Sequence, residues 1–496
     1  MVARAVAFVI DGVEAVPVSV EADLRPGLPS FAIVGMPDRS VSEARERVRS
    51  AVANSGFQFP LRRLVVNLAP AGLRKEGSGL DLAIAAAVLA ASGQVPHDSL
   101  AGVGLFGELS LDGCLRGCRG TLAAAESAHT AGLRRLLTAP QAVPEASLVP
   151  GLAALALGSL GDVGRVLGGE HVEPVPVPAE PPAGAAPDLA DVRGHPLAIE
   201  ALAVAAAGAH NLLLVGPPGT GKTMLARRLP GILPPLSRAE ALEVTRIHGV
   251  AGTGAGGVLA RERPFRAPHH SVSAAGLVGG GTVPTPGEAT LAHRGVLFLD
   301  ELSEFSRPAL EALRVPLEEG ELTITRGQRT VRMPADFALV AASNPCPCGR
   351  GGPECRCSAA DLARHARRLS GPLLDRVDLA VSVGRPSSAA LDGPPTTCSA
   401  DQAARVTRAR EAQLSRHGCA NGRLPAGRLA ETRCSQDGLA LVRGAYDSGA
   451  LSARGRDRAL RVARTIADLR GALDVGPDDV AGALAYRHHD EEVVRA

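Results

Sequence analysis

Tryptophan is absent from the 496 residues, tyrosine occurs twice and phenylalanine nine times, which leaves no material for an aromatic surface on which bases could stack. Lysine is nearly missing as well. Of 53 basic residues only Lys75 and Lys222 are lysines, so in a chain biased toward arginine and alanine each of the two calls for a reason. No charge of one sign dominates, because the net charge is +2; nucleic-acid or membrane binding therefore has no global electrostatic argument, and any DNA contact must come from local arginines. The longest apolar stretch, around Ala83–Ala91, falls far short of the ~18–20 residues that span a bilayer. Arg4 and a short apolar run broken by Asp11 do not resemble a secretory signal. Nine cysteines, four of them crowded into Cys346–Cys357, argue against a disulfide framework. A soluble cytoplasmic protein with reduced thiols and no membrane partner is expected.

What is present is enough chain for two to four domains, at roughly 100–200 residues each. The Pro-, Ala- and Gly-rich stretch 168–188 reads as an extended linker after an N-terminal domain over 1–167. A second break near 385–395 (RPSSAALDGPP) separates a central domain, 189–386, from an arginine- and alanine-rich segment, 387–496. That last segment reads as helical, best over Leu439–Tyr446 and Leu460–Leu473. In the centre, the runs Asn211–Val215, Val296–Leu299 and Ala338–Ala342 are apolar on both faces and alternate with helical patterns, which predicts an α/β fold with a parallel sheet. Between the second and third runs, Glu321–Met333 (ELTITRGQRTVRM) reads as a hairpin with a basic tip at Arg326-Gly327-Gln328-Arg329.

Gly216-Pro217-Pro218-Gly219-Thr220-Gly221-Lys222-Thr223 fits G-x-x-x-x-G-K-[ST], directly after an apolar strand and before a helical pattern. Its backbone N–H groups are expected to converge on phosphate oxygens, aided by the positive end of the following helix. Lys222 then reaches the β and γ phosphates of ATP and Thr223 holds Mg²⁺. A compact ammonium suits such a loop where a planar guanidinium does not, which explains a lysine at this place. The strand Val296–Leu299 ends in Asp300-Glu301: the first is expected to assist the Mg²⁺ shell, the second to polarise the attacking water. Asn344, at the end of the third run, could orient that water or touch the γ phosphate; alone it would be an ordinary turn residue.

Arg376, in LLDRVD, is a local ion pair or an arginine finger for a neighbouring subunit's nucleotide. Arg454, Arg458 and Arg461 fall at i, i+4 and i+7 on one helical face, a solvated basic face or a sensor of the γ phosphate. Cys346, Cys348, Cys355 and Cys357 supply four soft ligands within a short stretch, enough for a closed structural Zn²⁺ site, although the C-x-C spacing is tighter than usual; otherwise they are loop thiols. Arg326 and Arg329 at the hairpin tip, with Arg332 beside them, could track DNA phosphates, which predicts little sequence preference and strong salt sensitivity. His269 and His270, being adjacent, make a poor metal pair.

The ordered set GPPGTGKT, VLFLDE, SNP, LLDRVD and SARGRDRALRVARTIADL resembles AAA+ ATPases of the Mg-chelatase-like group, with Glu321–Met333 similar to that group's pre-sensor insertion. PFRAPHH (264–270), GLVGGG (276–281), PGEATLAH (286–293), NPCPCG (344–349) and SGPLLD (370–375) resemble its ComM/YifB branch. The resemblance covers nearly the whole chain. It implies an N-terminal Lon-like, ribosomal-S5-type α/β domain, a central AAA+ core and a C-terminal helical lid. It also implies a hexameric, ATP-driven helicase that promotes branch migration on DNA in homologous recombination during natural transformation. Lon-type peptidases use a Ser–Lys pair; Ser78 lies near the expected serine, but Leu115–Leu122 has no lysine and arginine cannot act as base, so peptidase activity is not expected. The alternative is a protein-remodelling or metal-insertion ATPase on the same nucleotide chemistry.

Overall fold

A computed structural model describes residues 2–174, 187–254, 257–281, 284–326, 329–369 and 373–495, with backbone alone at 39, 326, 329, 369 and 488–495. Most of the expected linker, the hairpin residues Gly327 and Gln328, and Ser370, Gly371 and Pro372 of SGPLLD lie outside the described residues. The described chain forms two compact units: one from 1–182 with Arg238–Ala260, the other from 183–237 and 261–496.

The first unit opens with two long strands, β1 (Val2–Asp11) and β2 (Glu14–Arg25), paired antiparallel about a turn at Gly12. With β3 (Ser30–Val34), β4 (Arg63–Ala69), β5 (Val103–Leu105), β6 (Arg135–Thr138) and β7 (Ala153–Ala156) they make a mixed sheet ordered β3-β4-β2-β1-β5-β6-β7. Side chains of successive strand residues point to opposite faces, so β1 feeds two cores. Ala3, Ala5, Ala7 and Val9 pack with helices α1 (Arg39–Asn54) and α2 (Asp81–Ala91). Phe8 packs instead with Leu122 and Ala125 of α3 (Thr121–Thr130). Helix α1 begins at Asp38, whose carboxylate accepts from the Val41 N–H at 2.8 Å, satisfying one of the N–H groups a helix start leaves open. Helix α2 is buried along its whole length, and its one charge, Asp81, is met by Arg47 at 2.7 and 3.0 Å.

The helix Arg238–Ala251 belongs to this unit, although its sequence lies within 189–386 and no composition break marks it. Arg246 pairs with Glu126 of α3 at 3.0 Å, and Leu242 packs on the α3 core. Lys75 is fully buried and donates from Nζ to the Pro70 carbonyl, while Ser78 donates to the Glu108 carboxylate. Each has a partner that is neither the other nor a second amine.

In the second unit β8 (Leu212–Val215), β9 (Phe265–Arg266), β10 (Val296–Leu299), β13 (Ala338–Ser343) and β14 (Leu379–Ser382) form an all-parallel sheet ordered β9-β10-β13-β8-β14. Between β10 and β13 in sequence, β11 (Glu321–Arg326) and β12 (Arg329–Pro334) pair as the expected hairpin. Strands β8, β10 and β13 are buried on both faces, as their unbroken apolar runs require. Asn211, which the sequence reading places in the first run, precedes the strand. Its side chain accepts from the Leu339 N–H at 3.0 Å and donates to the Arg376 carbonyl at 2.8 Å, tying β8 to the starts of both neighbours.

Helices α4 (Pro196–Gly208), α5 (Lys222–Ala226), α6 (Ala359–Leu369), α7 (Ser399–His417), α8 (Gln436–Asp447), α9 (Ala453–Arg470) and α10 (Pro477–Arg495) complete this unit. The two expected helical stretches fall in α8 and α9, the second shortened because Gly471, at φ 78°, ends the helix. Arg464 of α9 is fully buried with its two terminal nitrogens paired, donating to the carbonyls of Leu473 and Ala472 at 2.8 and 2.6 Å and meeting Asp468 at 2.9 Å, while its Nε has no hydrogen-bond partner among the described residues. Among the described residues no helix is long and apolar enough to cross a membrane.

Candidate nucleotide-binding site

In the second unit β8 is flanked by β13 and β14 although the next strand in sequence, β9, lies at the far edge. Such a reversal of strand order opens a crevice beyond the carboxyl ends of the strands, and the loop 216–223 leaves β8 at that crevice. Gly216 cannot be replaced there, since a Cβ would sit 2.1 Å from the Val383 carbonyl oxygen. Gly221 takes φ 91° as the residue before α5, a conformation side chains disfavour. The loop closes a cleft of about 450 Å³ with Asp300, Glu301, Ser343 and Asn344.

Lys222 is 8% exposed. Its Nζ donates to the carbonyls of Gly216 and Pro217 at 2.6 and 2.9 Å and to Asn344 Oδ1 at 3.2 Å. Burial pulls its pKa below the ordinary lysine value, with Asp300 and Glu301 opposing. Thr223 Oγ1 donates to Asp300 Oδ2 at 2.7 Å. The side chains of Lys222, Thr223, Asp300 and Asn344 thus meet from three neighbouring strand ends.

Glu301 is held at φ 52°, a left-handed conformation costly for a side chain with a Cβ. The turn directs its carboxylate outward, 57% exposed, to within 3.5 Å of His270 Nδ1. His270 packs against His269 with ring centroids 4.0 Å apart and the rings tilted by 36°, and His269 Nδ1 is 2.8 Å from the Ser271 hydroxyl. His270 therefore faces the acidic end of β10, a contact the sequence reading missed; the PFRAPHH motif was its signal. Two more histidines were missed. His195 is buried with Nε2 3.7 Å from where a Gly221 Cβ would stand. His365 of α6 places Nε2 3.0 Å from the Asn344 carbonyl oxygen.

Arg376 does not line the cleft. It is 5% exposed and donates to Glu318, at the end of the helix Arg314–Glu319, so it is ion-paired with a carboxylate distant in sequence, where LLDRVD suggests a local pair. Arg454 lies exposed in the first turn of α9, and Arg458 is turned to Asp378 at 3.4 Å. The expected single basic face is thus divided between solvent and interior. On the hairpin, Arg326 pairs in register with Arg329 and Arg332 with Thr323. Arg332 is exposed while Leu322, Val331 and Met333 are buried, so the ribbon presents one polar face.

All nine cysteines are free thiols. The sulfurs of Cys346, Cys348, Cys355 and Cys357 lie within 4.8 Å of one another. Backbone N–H groups of Arg356 and Arg350 bring the Cys348 thiol down to about 6, whereas burial drives Cys357 up to about 12 and Cys346 upward.

A phosphate loop at a topological switch point, a Thr–Asp pair beside it and an Asn from the intervening strand define a nucleotide-binding domain of the AAA+ type. Three family descriptions match in chain order: subunit ChlI of Mg-chelatase over residues 20–142, magnesium chelatase subunit ChlI over 188–391, and its C-terminal part over 396–487. An uncharacterized protein of Mycobacterium tuberculosis is 46% identical over 98% of both chains. The competence protein ComM of Haemophilus influenzae is 43% identical over 96% of this chain and 95% of its own. The uncharacterized protein YifB of Escherichia coli is 42% identical over 97% and 96%. The chain belongs to the magnesium-chelatase ChlI-like family of AAA+ proteins, as a member of the ComM/YifB type.

Proposed function

We propose that the protein is an ATP-hydrolysing, ring-forming DNA motor that promotes branch migration during recombination of incoming DNA. The observation that carries the nucleotide half of this reading is the convergence of Lys222, Thr223, Asp300 and Asn344 on one crevice. The Thr223 hydroxyl and Asp300 carboxylate are hard oxygen donors of the kind Mg²⁺ takes, and bound there the ion would neutralise phosphate charge. Lys222 exchanges its loop carbonyls for phosphate oxygens. Asn344 steers both the ammonium and the attacking water. Glu301, on its strained turn, takes the proton of that water. Positioning and charge stabilisation carry most of phosphoryl transfer. Arg376 serves the neighbouring subunit's nucleotide in a hexameric ring once Glu318 releases it, and Arg454 senses the γ phosphate. The four thiols Cys346, Cys348, Cys355 and Cys357 hold a structural Zn²⁺.

The DNA half is supported by the likeness to a competence protein and by the β11–β12 ribbon, where Arg332 is exposed and Arg326 and Arg329 pair in register at the strand ends. With almost no aromatic residues, grip on DNA rests on phosphate charge. The protein acts in the cytoplasm. Purified Arg326→Ala/Arg329→Ala protein loses DNA-stimulated hydrolysis; stimulation equal to wild type removes the ribbon as the gripping element.

A further inference from the structure

The four-cysteine cluster is built against the phosphate loop. Measured between sulfurs, Cys346–Cys348, Cys346–Cys355 and Cys348–Cys355 are 3.3, 3.6 and 3.9 Å. Zinc–thiolate bonds of about 2.3 Å in a tetrahedron put sulfurs about 3.8 Å apart, so the thiols already stand near the spacing of one shared ion. Binding would send the thiol protons to solvent.

The cluster loop runs between two attachments to Asn344. Cys346, 1% exposed, follows Asn344 by two residues, and the loop continues into α6, whose His365 reaches back to the Asn344 carbonyl at 3.0 Å. From inside the cluster, Gly349 lies against the nucleotide loop: a Cβ there would come within 2.8 Å of Pro218 Cδ, and Gly349 has φ 77°. The Gly349 N–H donates to the Cys346 carbonyl at 2.9 Å, so this contact is fixed by a ligand residue. Asn344 Oδ1 in turn holds Lys222 Nζ at 3.2 Å.

We infer that the Cys346/Cys348/Cys355/Cys357 cluster is a metal-dependent clip on the phosphate loop, and that zinc occupancy sets the affinity of the site for nucleotide. Without the ion, the twelve-residue stretch 346–357 is an open loop whose closure costs entropy, and both Gly349 on Pro218 and the Asn344 side chain lose their fixed position. The inference rests on the nucleotide-site reading above and needs nothing of DNA.

The test uses the whole 496-residue chain. Zinc is measured by mass spectrometry of the purified protein, then removed with a mercurial while release is followed by a chromogenic chelator, and Co²⁺ is added back. A fluorescent ADP analogue reports nucleotide affinity in each state, and circular dichroism reports folding. Expected are about one zinc per chain, the visible bands of a tetrahedral cobalt tetrathiolate, and nucleotide affinity about tenfold weaker in the metal-free protein, restored by zinc. Absence of zinc together with absence of the cobalt bands overturns the metal site. Equal affinity with and without metal overturns the coupling. A zinc-loaded wild type that binds no nucleotide overturns the nucleotide site itself and the clip with it. Gly349→Ala alters no ligand; it keeps its zinc and weakens nucleotide binding, and unchanged affinity in that variant contradicts the proposed route.

Discussion

Thr223 Oγ1 donates to Asp300 Oδ2 at 2.7 Å across a separation of 77 residues. The two residues follow β8 and β10, strands that do not touch, since β13 lies between them. The pair spans the end of the intervening strand, and the residue at that end is Asn344, bonded to Lys222. Three strands therefore deliver one site: Asp300 directly follows β10, Asn344 directly follows β13, and Lys222 and Thr223 stand at the end of the loop that leaves β8.

Lys222→Ala removes the only ammonium among the residues lining the cleft. Charge-assisted hydrogen bonds contribute about 1.5–3 kcal/mol each, so affinity for ADP falls by at least about tenfold and hydrolysis is lost. Equilibrium titration with a fluorescent ADP checks the first and phosphate release the second.

Glu301→Gln keeps the shape of the turn and removes the base. Binding of ATP persists and turnover falls by about 10²–10⁴, the range for a lost general base. A single-turnover experiment with radiolabelled ATP separates the two; a rate within twofold of wild type reassigns the base, with His270, 3.5 Å away, as the next candidate.

The pH dependence of nucleotide binding follows from Lys222. Burial lowers its pKa from the ordinary 10.5, so its charge is lost at a lower pH than that of a solvated lysine. Nucleotide affinity accordingly falls as pH rises through that lowered value, and binding in that window takes up a proton. For the fold alone the sign is opposite: the unfolded chain binds more protons there, so this group's contribution to stability improves with rising pH. Calorimetric titrations in two buffers of different ionisation enthalpy at alkaline pH measure the uptake; equal heats contradict it.

Asp378 accepts from the Asn211 N–H at 2.9 Å and faces His210 Nδ1 at 3.6 Å and Arg458 at 3.4 Å. Burial raises its pKa, but His210 and Arg458 outweigh that and hold it below the usual carboxylate range. Its stabilisation is present above the unfolded pKa and is lost as pH falls through the depressed one. Asp378→Ala leaves Arg458 facing an uncompensated site and costs about 3 kcal/mol, read as an earlier urea midpoint by circular dichroism.

Local sequence carried the strands, the phosphate loop and Asp300, because an apolar run followed by glycines or carboxylates is a contiguous signal. Asn344 was legible for the same reason. The burial of Arg376 on Glu318 and of Arg458 on Asp378 was not, since both depend on residues brought together by the fold. Nor was the return of Arg238–Ala251 to the first unit, because an amphipathic helix does not state which core its apolar face meets. His195 and His365 sit in unremarkable local patterns, and His270, although it ends the PFRAPHH motif, has no partner that the motif itself names; the three meet Gly221, Asn344 and Glu301, respectively, only through the fold.

Steady-state ATP hydrolysis by the purified protein with Mg²⁺, alone and with single-stranded, duplex and four-way-junction DNA at two salt concentrations, tests the central claim most directly. The account predicts a basal rate that DNA raises, more strongly at low salt than at high, because the grip is on phosphates. Hydrolysis indifferent to every DNA at both salt concentrations would contradict the DNA motor and favour a protein-remodelling or metal-insertion ATPase.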